Sequence, residues 1–229
     1  MSATSPKYYN AAKESEMAIG ILHLSDIHLT GANDSATTRA GQIRLAVQGV
    51  CHDVSDVLLV TTGDVGFSGK RREYEVAQTF FERVVGDLTA LPRVNFIGTV
   101  LIPGNHDCDF EKEGDDRQVL LSSIGTRIDN VDLAGSSVEQ ILKVQDAFFL
   151  FEESLCGVIA SRNRLFWSRE FDSGAGRISI RCLNTAWMSR KKELPAQLYF
   201  PIHAQGDLSK RGRPSVSHLC TTHMAGSNP

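Results

Sequence analysis

The sequence predicts an α/β fold that passes into a second, more mixed sheet. Two observations point there. Three short apolar runs alternate with two amphipathic segments over residues 18–102, and a later pair of strand-like runs flanks Asp172-Ser173-Gly174-Ala175-Gly176. The early runs are rich in Val, Ile and Leu without alternation, the pattern of a mostly parallel sheet covered on both faces. The later one alternates, Ile178 and Ile180 against Ser179 and Arg181, as an antiparallel hairpin strand does.

Taken in order, residues 1–17 read as a loose polar leader, and 18–229 as a single domain. Ala18 to Leu24 is the first strand, and the small polar residues Thr30 to Thr38 form a loop. Arg39 to Asp53 places Ile43, Ala46, Val47, Val50 and Cys51 on one helical face. Val57 to Thr61 is the second strand, Glu73 to Leu88 the second helix, and Phe96 to Ile102 the third strand, stopped by Pro103-Gly104. The acidic stretch Cys108 to Asp116 is expected to be a loop, and Ser137 to Leu155 a continuous third helix. Leu165 to Phe171 and Arg177 to Leu183 are strands; Leu198 to Ile202 could add another, limited to an edge or an end by Pro201.

Composition narrows the function classes. The chain has 229 residues, 41% hydrophobic and 22% charged, enough for one sizeable core. The net charge of -3 disfavours a binder that relies on charge to hold nucleic acid, although nucleic acid remains possible as a substrate. Six basic residues lie between Arg190 and Arg213, and Lys70-Arg71-Arg72 opens the second helix; both read first as solvated charge and second as phosphate contacts. The five cysteines are far apart and form no CxxC pair, so neither a thiolate zinc site nor a disulfide framework is expected. No apolar run approaches a membrane span, and no secretory signal is visible, so the expected location is cytoplasmic.

The chemistry concentrates at three strand ends. Asp26 and His28 follow the first strand in LSDIHL, Asp64 follows the second in TGDVGFSG, and Asn105, His106 and Asp107 follow the third in PGNHD. In an open α/β sheet the carboxyl edge is where a site forms. Taken singly, Asp26-x-His28 could cap a turn and Gly63-Asp64 could be a turn; taken together, the oxygen and nitrogen donors suit Mn, Fe, Zn or Mg. A carboxylate such as Asp64 can bridge two such cations about 3.5–4 Å apart, a pair that clamps a phosphoryl group.

DIH, GDVGFSG and GNHD in this order resemble the signature of the calcineurin-like metallophosphoesterases, over about residues 18–110 and more loosely to about 200. The resemblance implies a β-sandwich of two mixed sheets flanked by helices. It also implies two divalent metal ions, with Mn favoured, and hydrolysis of a phosphate mono- or diester by a metal-bound hydroxide. It would give the first metal to Asp26 and His28, the bridge to Asp64 and the second metal to Asn105. His106 would be the catalytic imidazole, with Asp107 and Asn184 as supporting residues. The family's closing GHxH element is missing here, and His218 or His223 could supply one further ligand. The C-terminal part is therefore expected to be incomplete, through truncation, a shifted frame or a partner that supplies the rest. The alternative is a catalytically silent remnant serving as an interaction or sensor module. Substrate and oligomeric state stay open at this point.

Overall fold

The computed structural model describes residues 18–31, 36–50, 54–125, 131–157, 164–174, 176–193, 198–201 and 216–220, the last as backbone. Two three-stranded sheets carry the fold. The first is parallel in the order β1 (Ile19–Leu24), β2 (Asp56–Thr62), β3 (Asn95–Ile102). The intervening helices are α1 (Ala36–Val50) and α2 (Arg71–Thr89). The second sheet is mixed: β4 (Phe166–Ser173) runs antiparallel to β5 (Gly176–Leu183), and β6 (Val216–Cys220) lies parallel to β5. Between the sheets in sequence come α3 (Asp115–Gly125), α4 (Ser136–Leu142) and α5 (Asp146–Cys156). This is the mixed α/β architecture, with helices flanking the sheets, that the sequence predicts.

The central strand explains the register. Val57 to Val60 on β2 are all buried, so this strand is packed on both faces and its pairing with β1 and β3 cannot slip without exposing core. Strand β1 departs from the expected fully buried run. It is an edge strand with alternating burial, and Ile19 and Ile21 are exposed. The core joins both sheets: Val57, Phe81, Phe148, Phe149, Trp167, Phe171 and Ile180 belong to one buried cluster. Helix α5 packs on α2 through rings, with Tyr74 stacked on Phe151 at 5.5 Å and Phe81 tilted against it at 5.6 Å.

The sheets meet closely at Gly98. This residue sits at φ 151°, in the region that favours glycine, and a Cβ there would lie 2.4 Å from the Phe171 ring. The missing side chain is what lets β4 seat its aromatic against β3.

Three local expectations are corrected. The acidic stretch is not all loop: Asp109 caps a short 3₁₀ turn, Phe110–Lys112, and α3 begins at Asp115. The anticipated continuous helix is broken into α4 and α5 by a 3₁₀ turn at Lys143–Gln145, where the Val144 carbonyl accepts from the Asp109 N–H at 2.7 Å. Residues 198–201 form no strand, and the Tyr199 carbonyl instead accepts from the Trp187 indole at 2.8 Å. The proposed leader at 1–17 lies outside the described residues.

Helix α3 escaped the sequence reading because its apolar periodicity is weak; a buried arginine anchors it. Arg117 Nε donates to the Ile141 carbonyl at 2.9 Å, its terminal nitrogens reach the Ser189 and Trp187 carbonyls, and it pairs with the nearly buried Glu113. Removing one partner of a buried ion pair leaves the other charge uncompensated. Arg117→Ala is expected to cost about 3 kcal/mol or more, read as a lower urea midpoint. Gly98→Ala should also destabilise, by about 1–3 kcal/mol, because Phe171 must move.

Candidate metal centre

The parallel sheet brings the three polar clusters to one edge, because β1, β2 and β3 all end there. Asp26 and His28 lie just beyond Leu24, Asp64 just beyond Thr62, and Asn105 just beyond Ile102. The loops are stitched together by backbone hydrogen bonds. His28 N–H donates to the Asp64 carbonyl at 2.9 Å, Leu29 N–H to Val65 at 2.8 Å, and Phe67 N–H to Leu29 at 3.1 Å.

The backbone is strained at this edge. Among the described residues, four that are not glycine have positive φ, and three of them are Asp26 at 54°, His28 at 50° and Asp64 at 55°. Such conformations cost about 1–3 kcal/mol each and persist only where the surroundings impose them.

Close packing imposes them here. Gly104 lies so near Asp64 that a Cβ would fall 2.1 Å from its Oδ1 and 2.6 Å from its backbone nitrogen. The Asp64 carboxylate accepts the His106 N–H at 3.0 Å, which locks the loop after β2 to the turn after β3. Beneath this contact the buried Asp107 carboxylate accepts from Gly66 N–H at 2.9 Å, Gly104 N–H at 2.9 Å, Val65 N–H at 3.3 Å and the Tyr74 hydroxyl at 2.9 Å. Burial raises its pKa to about 6, the backbone donors oppose that rise, and the neighbouring Asp64 charge adds to it. A second carboxylate, Glu73, gathers Ser68 N–H, the Ser68 hydroxyl and Lys70 N–H, which also caps α2.

The result is a compact donor set. One ligand atom each from His28, Asp64 and His106 lies within 4.8 Å of the others. The His28 and His106 rings meet edge to face at 4.6 Å. His106 Nδ1 bonds the Phe67 carbonyl at 2.8 Å; a carbonyl only accepts, so Nδ1 is the donor of this bond. Two buried atoms of this edge, His28 Nδ1 and Asn105 Oδ1, have no hydrogen-bond partner among the described residues. A buried polar atom is costly to leave unsatisfied, so both fit a role as ligands to a cation.

The other sequence-predicted residues fall into distinct places. Asp26 is exposed at the same edge and stands outside the three-residue donor group. Asn105 lies beside that group, on the 3₁₀ turn Asn105–Asp107. Asn184 is fully buried behind it, paired with Gln145 through Nδ2 to Oε1 at 2.7 Å and donating to the Arg164 carbonyl at 3.0 Å. The same Gln145 Nε2 reaches Cys108 Sγ at 3.5 Å, so Asn184 supports the turn from below. Burial pushes the Cys108 thiol up to about 12, leaving it a neutral packing group. His218 lies on β6 opposite Arg181, and His223 falls outside the described residues. Sequence reasoning missed Glu73, Tyr74 and Gln145. The signal for the first was present, since a Glu at the third helical position, as Glu73 is after Lys70, is a capping pattern; the other two carry no local signature.

A parallel sheet edge carrying imidazole and carboxylate donors on strained loops forms a candidate metal-binding site. The model of the calcineurin-like phosphoesterase family matches residues 19–169, most of the chain, and the protein belongs to that family. A comparison with curated proteins finds no match.

Gly104→Ala is expected to push the 104–107 turn off Asp64 and to weaken Mn²⁺ binding, measured by calorimetry, while lowering stability by about 1–3 kcal/mol. Asp107→Asn should cost about 1–3 kcal/mol, because an amide nitrogen would face two of the four donors that now meet oxygen. Thermal unfolding reads this loss, and the variant's Mn²⁺ affinity should fall with it.

Proposed function

We propose that the protein hydrolyses a phosphate mono- or diester at a dinuclear divalent-metal centre, with Mn²⁺ the favoured ion. The observation that carries this reading is the gathering of His28, Asp64 and His106 donors within 4.8 Å at the sheet edge, in a member of a phosphoesterase family. In this reading His28 and Asp26 would hold one ion, Asn105 would hold the other through its buried Oδ1, and Asp64 would contribute to both. His218 or His223 could complete the set. Divalent cations held there supply Lewis acidity at the phosphoryl oxygens and make water a usable nucleophile near neutral pH.

The chain's own residues do the rest. Asp64 is held by the His106 N–H and by the close face of Gly104, so its carboxylate is oriented before a cation arrives. His106 has Nδ1 committed to the Phe67 carbonyl, which fixes the ring and turns Nε2 to the departing group. Hydroxide formed from water attacks phosphorus in line, the ester P–O bond breaks, the Nε2 proton of His106 passes to the leaving oxygen, and the proton that the water released restores the imidazole. Asp107 and Asn184 act through the turn they support. In the same reading the protein works in the cytoplasm, where its widely spaced cysteines would stay reduced. Among the described residues no helix is long and apolar enough to cross a membrane.

The test is metal content together with turnover of bis(p-nitrophenyl) phosphate. About two ions per chain and Mn²⁺-dependent turnover, abolished by a chelator and restored by Mn²⁺, are expected. His106→Ala should lower kcat about 10²- to 10⁴-fold with the fold intact by circular dichroism. A protein that retains no ion and shows no turnover in Mn²⁺ would overturn the proposal in favour of a catalytically silent domain.

A further inference from the structure

The GDVGFSG loop carries a residue that neither the metal centre nor the core uses. Of the 11 phenylalanines, Phe67 alone is exposed, at 54%, whereas Phe80, Phe81, Phe148 and Phe149 are at most 2% exposed. An isolated exposed apolar side chain is ordinary on a protein surface. The position of this one is not: its ring centroid lies 5.8 Å from that of His106 and 6.1 Å from that of His28, at the mouth of the donor set.

Its mounting is rigid. Phe67 N–H donates to the Leu29 carbonyl, and its own carbonyl accepts from His106 Nδ1, so both backbone polar groups are fixed to the site. The residues on either side are held in turn, Gly66 by Asp107 and Ser68 by Glu73. A ring presented this way loses little conformational freedom when a second flat group meets it, which is the condition for a useful stacking platform.

We propose that Phe67 is a specificity-determining residue that stacks on an aromatic ring in the organic part of the ester, so that aryl or nucleotide phosphates are preferred over alkyl ones. The inference rests on the phosphoesterase reading of the same site and deepens it by naming the substrate class. The two imidazoles approach the ring to 6.1 and 5.8 Å between centroids, and its exposed surface is left for the ligand. A flat hydrophobic group is what a half-exposed phenyl ring accommodates best, and base-aromatic stacking is tolerant of ring identity.

Calorimetry on the Mn²⁺-loaded full chain tests this by binding, independently of turnover, with phenylphosphonate, adenosine 5′-monophosphate and methylphosphonate as probes. The wild type should bind the aromatic ligands about tenfold or more tighter than methylphosphonate. Phe67→Leu should collapse that ratio, and Phe67→Tyr should retain it. A preference confined to the nucleotide identifies a base as the natural partner, and one shared with phenylphosphonate identifies a general aryl site; either supports the proposal. Equal affinities for all three ligands, or a Phe67→Leu effect of the same size on each, would overturn the stacking role while leaving the phosphoesterase reading in place. Failure of every ligand to bind would overturn both.

Discussion

One buried carboxylate carries most of the architecture at the sheet edge. Asp107 accepts hydrogen bonds from Val65, Gly66, Gly104 and Tyr74, which come from the loop after β2, the turn after β3 and the start of α2. These groups would otherwise be backbone donors and a phenol in a dry interior, costly unless paired. A single side chain with two oxygens satisfies four donors and so defines the separation of three segments. The gathering of His28, Asp64 and His106 follows from that separation, because Asp64 and His106 sit on two of the segments and His28 is tied by its backbone to the first.

The strain at Asp26, His28 and Asp64 belongs to the same balance. Left-handed conformations at three non-glycine residues are unfavourable, and the free energy that maintains them comes from the core below: the buried β2, the aromatic contact between α2 and α5, and the Gly98–Phe171 approach between the sheets. Pre-organising ligands on a rigid frame lowers the reorganisation needed when a cation binds. Loops free to relax would satisfy their own backbone and turn the donors away from one another. The exposed Phe67 ring shares this rigidity, since its backbone is held at both polar groups.

The support continues downward through neutral amides. Asn184 and Gln145 pair inside the core and contact the Arg164 carbonyl and Cys108, linking the turn after β3 to the end of β5. Arg117 does the equivalent work at the periphery, fastening α3 to α4 and to the 3₁₀ turn after β5. Neither network has a clear sequence signature, because apart from Glu113 the partners named lie 20 or more residues apart. Helix α3 and the break between α4 and α5 were illegible for the same reason: tertiary hydrogen bonds of Arg117 and Val144, not local periodicity, determine them.

What the sequence determined by itself is local and periodic. Apolar runs specified the three parallel strands to within a residue or two, the 3.6-residue spacing specified α2 but began α1 three residues late and put the exposed Ala46 and Val50 on its buried face, and the alternation around Ile178 and Ile180 specified the β4–β5 hairpin. The motifs DIH, GDVGFSG and GNHD, each placed after a strand, were enough to locate the candidate site at one sheet edge. Only the tertiary structure decided which donors come within reach of one another. It placed His106 in the donor group beside His28 and Asp64, left Asp26 exposed at the same edge, buried Asn184 and left the Phe67 ring exposed beside the two imidazoles. Those outcomes depend on backbone strain, on the close approach of Gly104 and on long-range hydrogen bonds, all of which arise once the chain has packed.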